Sequence, residues 1–168
     1  MRQFLTKLLL CCTLAYCMLW IADLFVSRHY TRLHYRQIDM WHNIRTHQMG
    51  MYDCIFVGDS RVMQGYNPMI VDSLLGTHSY NMGLSARSWP THELLQRIYR
   101  REGYVPPQLM LIELDYLIFY HKEQPDEIEQ FYPFYYTDRD IHRFLLAKDT
   151  LSFRVRMVPI ARYIGGGA

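Results

Sequence analysis

The chain reads as an α/β domain built on a parallel sheet and preceded by one membrane-spanning helix. Three observations predict this. Strand-like apolar runs alternate with segments of helical periodicity from Tyr52 to Leu114. Each run ends in small or polar residues, as a buried parallel strand does when it delivers side chains to the carboxyl edge of a sheet. Residues Leu8 to Ala22 contain no charge at all.

The apolar segment comes first. Phe4-Leu5 precedes Lys7, and Leu24-Phe25-Val26 follows Asp23, so the stretch extends over about 23 residues where about 20 suffice to cross a bilayer. No Ala-x-Ala site follows it, and Leu14-Ala15-Tyr16-Cys17 places a bulky tyrosine where a lipoprotein box needs a small residue. An uncleaved anchor over 1–27 is therefore expected, with a cleaved signal peptide as the alternative. Arg28, Arg32, Arg36 and Arg45 outnumber Arg2 and Lys7, which by the positive-inside rule keeps the main domain cytoplasmic. Asp23 lies close enough to the end of the span to reach interfacial water or Arg28.

Residues 28–51 are polar and rich in His and Arg, a linker or helix. His29, His34, His42 and His47 do not recur on one helical face and have no acidic partners in step with them, so no metal site is expected. The α/β domain is assigned to 52–168. A strand over 53–57 runs into Gly58-Asp59-Ser60. Asn67 and Pro68 supply the N-cap and first position of a helix whose apolar face is Ile70, Val71, Leu74 and Leu75, with Gly76 as its C-cap. A short strand over 77–81 ends at Asn81-Met82-Gly83. Pro90 starts a helix that buries Leu94, Leu95, Ile98 and Tyr99. After Pro106-Pro107, Leu109–Leu114 forms a third strand that ends at Asp115. Short connections between alternating elements imply parallel pairing.

Composition narrows the function. Half of the 168 residues are apolar and the formal net charge is +2, with the basic residues scattered, so nucleic acid is not an expected partner. No nucleotide-binding glycine loop occurs. The four cysteines form no C-x-x-C; three lie in the apolar segment and Cys54 in the first strand, where buried thiols behave as small hydrophobes. The fourteen tyrosines, several of them between Tyr116 and Tyr136, read as packing rings, with a carbohydrate-stacking surface as the alternative. Residues 131–136 are too aromatic to be a solvated loop.

Gly58-Asp59-Ser60 after a first strand and Asn81-Met82-Gly83 after a second resemble the first two blocks of the SGNH (GDSL-like) hydrolases, most closely the membrane-anchored, envelope-associated members that act on acylated polymers in bacteria. The resemblance covers about residues 52–120. It implies a flavodoxin-like three-layer fold of about five parallel strands, of which three are placed here. It further implies an extracytoplasmic domain, no cofactor, an acylated polysaccharide or lipid as substrate, Ser60 as nucleophile, and an oxyanion hole from the backbone N–H groups of Ser60 and Gly83. Two departures stand out. Glu113-Leu114-Asp115 occupies the third block, where the family has an oxyanion-binding asparagine, and an ionised Asp115 cannot donate. The family's Asp-x-x-His block is absent after Ser60, and its only copy, Asp39-Met40-Trp41-His42, precedes the first strand. His142, with Asp138 and Asp140 nearby, is the best substitute base, ahead of His92 and His121. A carboxyl-terminally incomplete domain accounts for the missing block. Without an imidazole, Ser60 is a nearly neutral alcohol and triad-type hydrolysis is expected to be poor. The competing expectation is a non-catalytic, membrane-anchored α/β scaffold or binding module.

Overall fold

Strand β1 (Cys54–Val57) is buried at every residue, which in an α/β protein marks the centre of a parallel sheet covered on both faces. It lies between β2 (Ser79–Asn81) and β3 (Leu109–Ile112) in the order β2-β1-β3, with both pairings parallel. In register, Cys54 faces Ser79 and Leu109, and Phe56 faces Asn81 and Leu111. β1 coincides with its apolar run, β2 starts two residues later and β3 ends two residues earlier than the sequence predicts. The structure, a computed structural model, describes residues 1–33, 36–46, 51–85, 89–114, 128–147, 151 and 153–164. They fall into two units, His34–Gln130 around the sheet and Met1–Leu33 with Phe131–Ala168.

In the sheet unit, alternation along β1 divides the core. Cys54 and Phe56 pack with Val62 and Val71 on one face, and burial pushes the Cys54 thiol pKa up. Val57 points to the other face, where α5 (Trp89–Arg101) buries Leu94, Leu95, Ile98 and Tyr99 as its periodicity requires. Helix α2 (Arg36–Arg45) packs against α5 and buries Ile38, Met40, Trp41 and Ile44, so this part of the polar stretch is a core helix. The Trp41 indole N–H donates to Gln130 Oε1 at 2.8 Å, and the Tyr104 hydroxyl reaches the Asn43 and Ile44 carbonyls.

Helix α4 (Pro68–Leu75) is capped as its sequence demands. Asn67 accepts from the Met69 N–H, and Gly76 takes the left-handed conformation at φ 65°. Its expected apolar face is not buried, however. Only Val71 reaches the core, while Ile70, Leu74 and Leu75 are exposed. Polar ties hold the helix instead: Asp72 accepts from the Ser79 N–H (2.8 Å) and the Thr77 hydroxyl (3.1 Å). Strand β3 departs similarly from a buried parallel strand, with Leu109, Leu111 and Ile112 all close to half exposed.

The other unit is built on α1 (Arg2–Tyr30), whose 29 residues include an 18-residue stretch of mean hydropathy 2.1, long and apolar enough to span a membrane. From Met1 to Leu19 every residue is exposed, Cys11, Cys12 and Cys17 included, so these thiols are not buried as expected. Beyond that point one face of α1 is covered. Trp20 packs on Tyr136, with ring centroids 4.5 Å apart, and Asp23 and Ser27 are buried. The covering residues are Tyr136, Met157, Ile160 and, from the 3₁₀ turn Ala161–Tyr163, Arg162 and Tyr163. The unit also holds the 3₁₀ residues 131–134, helix α6 (Arg139–Ala147) and helix α7 (Phe153–Met157). Phe131, Tyr132, Phe134 and Tyr135 are buried, in line with the packing role read for the tyrosines.

Asp23 meets neither water nor Arg28. Its carboxylate is 1% exposed and pairs with Arg162, Oδ1 lying 2.6 Å from one guanidinium nitrogen and Oδ2 2.8 Å from the other. Arg162 also donates to Ser27 Oγ and the Tyr132 carbonyl, and its guanidinium lies 4.7–5.7 Å from the ring centroids of Tyr135, Tyr136 and Tyr163. Burial pushes all three phenol pKa values up, which keeps the rings neutral around the cation. Ile160 stands at φ 67°, an unfavourable conformation for a β-branched residue, and its N–H donates to Asp23 Oδ1 at 2.7 Å. The ion pair thus anchors a strained turn as well as the arginine.

Candidate edge site at the carboxyl ends of the strands

At the end of β1 the chain turns into α3 (Ser60–Gly65), and the turn is built by Asp59 and Gly58. Asp59 is the N-cap: its Oδ1 accepts from the Arg61 N–H at 2.7 Å. Ser60 is thereby the first helical residue, half-buried, and its hydroxyl makes no hydrogen bond among the described residues. Gly58 is required by crowding. A Cβ there would collide with Val62 and stand 2.8 Å from the Glu113 side chain.

The second block lies at the same edge. Met82 N–H donates to the Phe56 carbonyl and Leu84 N–H to that of Gly58, at 2.8 and 2.9 Å, so residues 82–84 run alongside the β1 exit. Gly83 backs onto Met63 in α3, close enough that a Cβ would overlap the Met63 backbone. Asn81, 7% exposed, ties the pieces together: its Nδ2 donates to the Val62 and Tyr66 carbonyls at 2.8 and 2.7 Å, and its Oδ1 accepts the Gly83 N–H at 2.8 Å. The Gly83 N–H is therefore engaged by the chain itself in this conformation. An oxyanion would have to displace the Asn81 carbonyl to use it.

The third strand brings Glu113 to the edge. Glu113 N–H donates to the Val57 carbonyl, which continues the β3 ladder and sets its side chain against Gly58. Asp115 lies outside the described residues. Arg61 bridges the two acids, its NH2 3.1 Å from Asp59 Oδ2 and its Nε 3.1 Å from Glu113 Oε1. The carboxyls also interact with each other. Burial and the neighbouring Asp59 charge raise the Glu113 pKa. At Asp59, burial acts in the opposite direction but is outweighed by hydrogen bonds and charge from Arg61, so its carboxyl is held below the ordinary aspartate range.

The pH dependence follows. An unfolded chain releases the Glu113 proton in the ordinary glutamate range while the folded chain retains it, so this contribution to stability is complete at low pH and is lost as pH rises through the raised value. Asp59 acts oppositely, its contribution being lost only as pH falls through its lowered value. Glu113→Gln removes the ionisable proton. The variant is expected to show a flatter stability profile than the parent above the ordinary glutamate range, and to be the more stable once pH exceeds the raised value. Urea midpoints across that range check it.

His142 belongs to the other unit. It lies on α6, half-buried, with Nδ1 3.2 Å from the Tyr135 carbonyl and its ring 4.6 Å from that of Tyr135. Asp138 is the N-cap of α6, its Oδ1 accepting from the Asp140 and Ile141 N–H groups. Within the sheet unit, His92 is 3% exposed. It lines a cleft of about 330 Å³ between α5 and the strand ends, together with Val57, Trp89, Gln96, Met110 and Ile112. His121 falls outside the described residues. Among the described residues no three His, Cys, Asp or Glu side chains converge to hold a metal ion.

Fold and edge together define an α/β protein with a small parallel sheet, carrying one amino-terminal helix able to span a membrane. No family model matches the chain, and comparisons with curated proteins and with solved structures likewise find no match.

Proposed function

We propose that the chain is a membrane-anchored, flavodoxin-like α/β protein of SGNH type, with Ser60 at the position of an acyl-accepting nucleophile and an acylated glycan or lipid as substrate. The observation that supports it most is the placement of Ser60. It starts the helix after the central strand, its hydroxyl uncommitted, with Gly83 behind the same turn and Glu113 beside it. The apolar cleft lined by Val57, Met110 and Ile112 lies at the ends of the same strands and falls within the size range of small-molecule sites, about 300–1,000 Å³. In this reading α1 is the anchor and the sheet unit is extracytoplasmic.

The reaction proposed is attack of the Ser60 oxygen on an ester carbonyl to give an acyl-enzyme and a released alcohol, followed by transfer of the acyl group to water or a second hydroxyl. A fluorophosphonate probe applied to the full chain in its membrane is expected to label Ser60, and Ser60→Ala is expected to abolish the label. Equal labelling of parent and variant, or no labelling of either, overturns the hydrolase reading.

A specific observation favours a second reading. The Gly83 N–H and the whole Asn81 amide are spent on holding α3, and Arg61 pairs with both Asp59 and Glu113. An edge whose oxyanion-side donors and charges are largely committed within the chain suits a scaffold or binding module. That reading is supported by binding of an acylated glycan unchanged in Ser60→Ala together with no labelling.

A further inference from the structure

We propose that α7 is a second membrane contact, an interfacial segment held against the anchor helix so that Phe153 and Met157 enter the acyl region while Arg154 faces the headgroups. The proposal rests on the reading of α1 as a membrane span. Phe153 and Met157 are one helical turn apart on a common face, and they are 74% and 55% exposed, whereas Phe131, Tyr132, Phe134 and Tyr135 of the same unit are buried. Two neighbouring apolar side chains this exposed call for an occupant.

The occupant follows from where α7 is attached. The Tyr16 hydroxyl donates to the Met157 carbonyl at 3.3 Å. Tyr16 lies about 18 Å along the axis from Phe4 at 1.5 Å per residue. That leaves about 12 Å to the far boundary of a hydrocarbon layer of about 30 Å, a depth from which Arg154 must extend along the acyl chains toward the headgroups. A bilayer that takes up the exposed face of α1 from Phe4 onward therefore reaches the level of Met157. On α1 itself Ile21 and Phe25, exposed at 67% and 75%, lie on faces turned away from Tyr16 and from the covered Trp20, Asp23 and Ser27. α7 thus adds a lipid-facing surface on the Tyr16 side of the anchor.

Charge fits the same occupant. Arg28, Arg32 and Arg154 are exposed, and basic side chains beside an amphipathic segment strengthen contact with anionic headgroups. The Asp23–Arg162 pair then lies near the interface, where the surrounding tyrosines suit the boundary between acyl chains and water.

The test uses the full chain reconstituted in vesicles of about four parts phosphatidylcholine to one part phosphatidylglycerol. A photoreactive p-benzoylphenylalanine replaces Leu9, Phe153, Met157 or Arg97 in separate preparations, and adducts are identified by mass spectrometry. Lipid adducts are expected from Leu9, and from Phe153 and Met157 at yields within about threefold of Leu9, with only background from the polar control Arg97. Lipid adducts from Leu9 but from neither Phe153 nor Met157 overturn the proposal and leave the anchor standing. Adducts from Phe153 and Met157 to a second copy of the chain in place of lipid also overturn it. No lipid adduct from Leu9 overturns the anchor reading and this inference with it.

Discussion

Arg162→Met is expected to destabilise the anchor-bearing unit by about 3–5 kcal/mol, the usual consequence of leaving one member of a buried ion pair without its partner. Asp23 would retain the Ile160 N–H but lose both guanidinium contacts while staying 1% exposed. The turn at Ile160 would lose support as well, because its left-handed backbone is held through the same carboxylate. Arg162 further donates to Ser27 Oγ and to the Tyr132 carbonyl, so the substitution also removes one donor from each, leaving Ser27 with the Tyr163 hydroxyl and Tyr132 with the Tyr135 N–H. The double variant Asp23→Leu/Arg162→Met removes both charges and is expected to recover most of the loss, since an apolar pair of similar volume commonly replaces a buried ion pair at little cost. Denaturant titration of the full chain in detergent, followed by near-ultraviolet dichroism of the clustered tyrosines, reads both effects. A single variant as stable as the parent would show that the pair is hydrated and contributes little.

That ion pair also marks where sequence reasoning stops. Local signals were legible: Asn67-Pro68 and Gly76 fixed both ends of α4, and the apolar run 53–57 announced a central strand because only a strand buried on both faces dispenses with alternation. The parallel order followed from strand–helix alternation. Asp23, by contrast, has a natural local partner in Arg28, and no periodicity connects it to a residue 139 positions later. The exposure of α4 and β3 was equally hidden, because apolar side chains announce the capacity to be buried and say nothing about what covers them. At the edge, Ser60 was legible as the residue after a strand. The commitment of Asn81 and Gly83 to each other depends on an approach between β2 and α3 that spacing alone does not encode. Glu113 likewise emerged only with the register that sets it opposite Gly58, while attention fell on Asp115 two residues later.

Gly83→Ala is expected to cost more than Gly58→Ala, although both glycines sit at the same strand edge. The difference lies in what a new methyl group meets. At Gly58 the nearest obstacles are Val62 Cγ2 and Glu113 Oε2, which can rotate away, and the Glu113 Cβ, which moves only with the end of β3; at Gly83 they are the backbone nitrogen and Cα of Met63 within a helix. A helix backbone cannot rotate out of the way, so α3 must translate. That movement stretches the Asn81 bonds to the Val62 and Tyr66 carbonyls and moves Ser60 with the first turn. A cost at or above the upper end of the about 1–3 kcal/mol typical of overpacking is expected for Gly83→Ala, and a value toward the lower end for Gly58→Ala. Gly65 lies in the same helix with nothing within 4 Å of a Cβ, so Gly65→Ala is expected to be neutral or to stabilise by up to about 1 kcal/mol. Urea midpoints of the three variants should therefore rank Gly65→Ala above Gly58→Ala above Gly83→Ala. If Ser60 is a nucleophile, its labelling should fall in that order too, because the residue that sets its position is a glycine it does not adjoin in sequence. Equal midpoints for Gly58→Ala and Gly83→Ala would mean that α3 yields as easily as a side chain, and the Asn81 brace would lose its role in positioning Ser60.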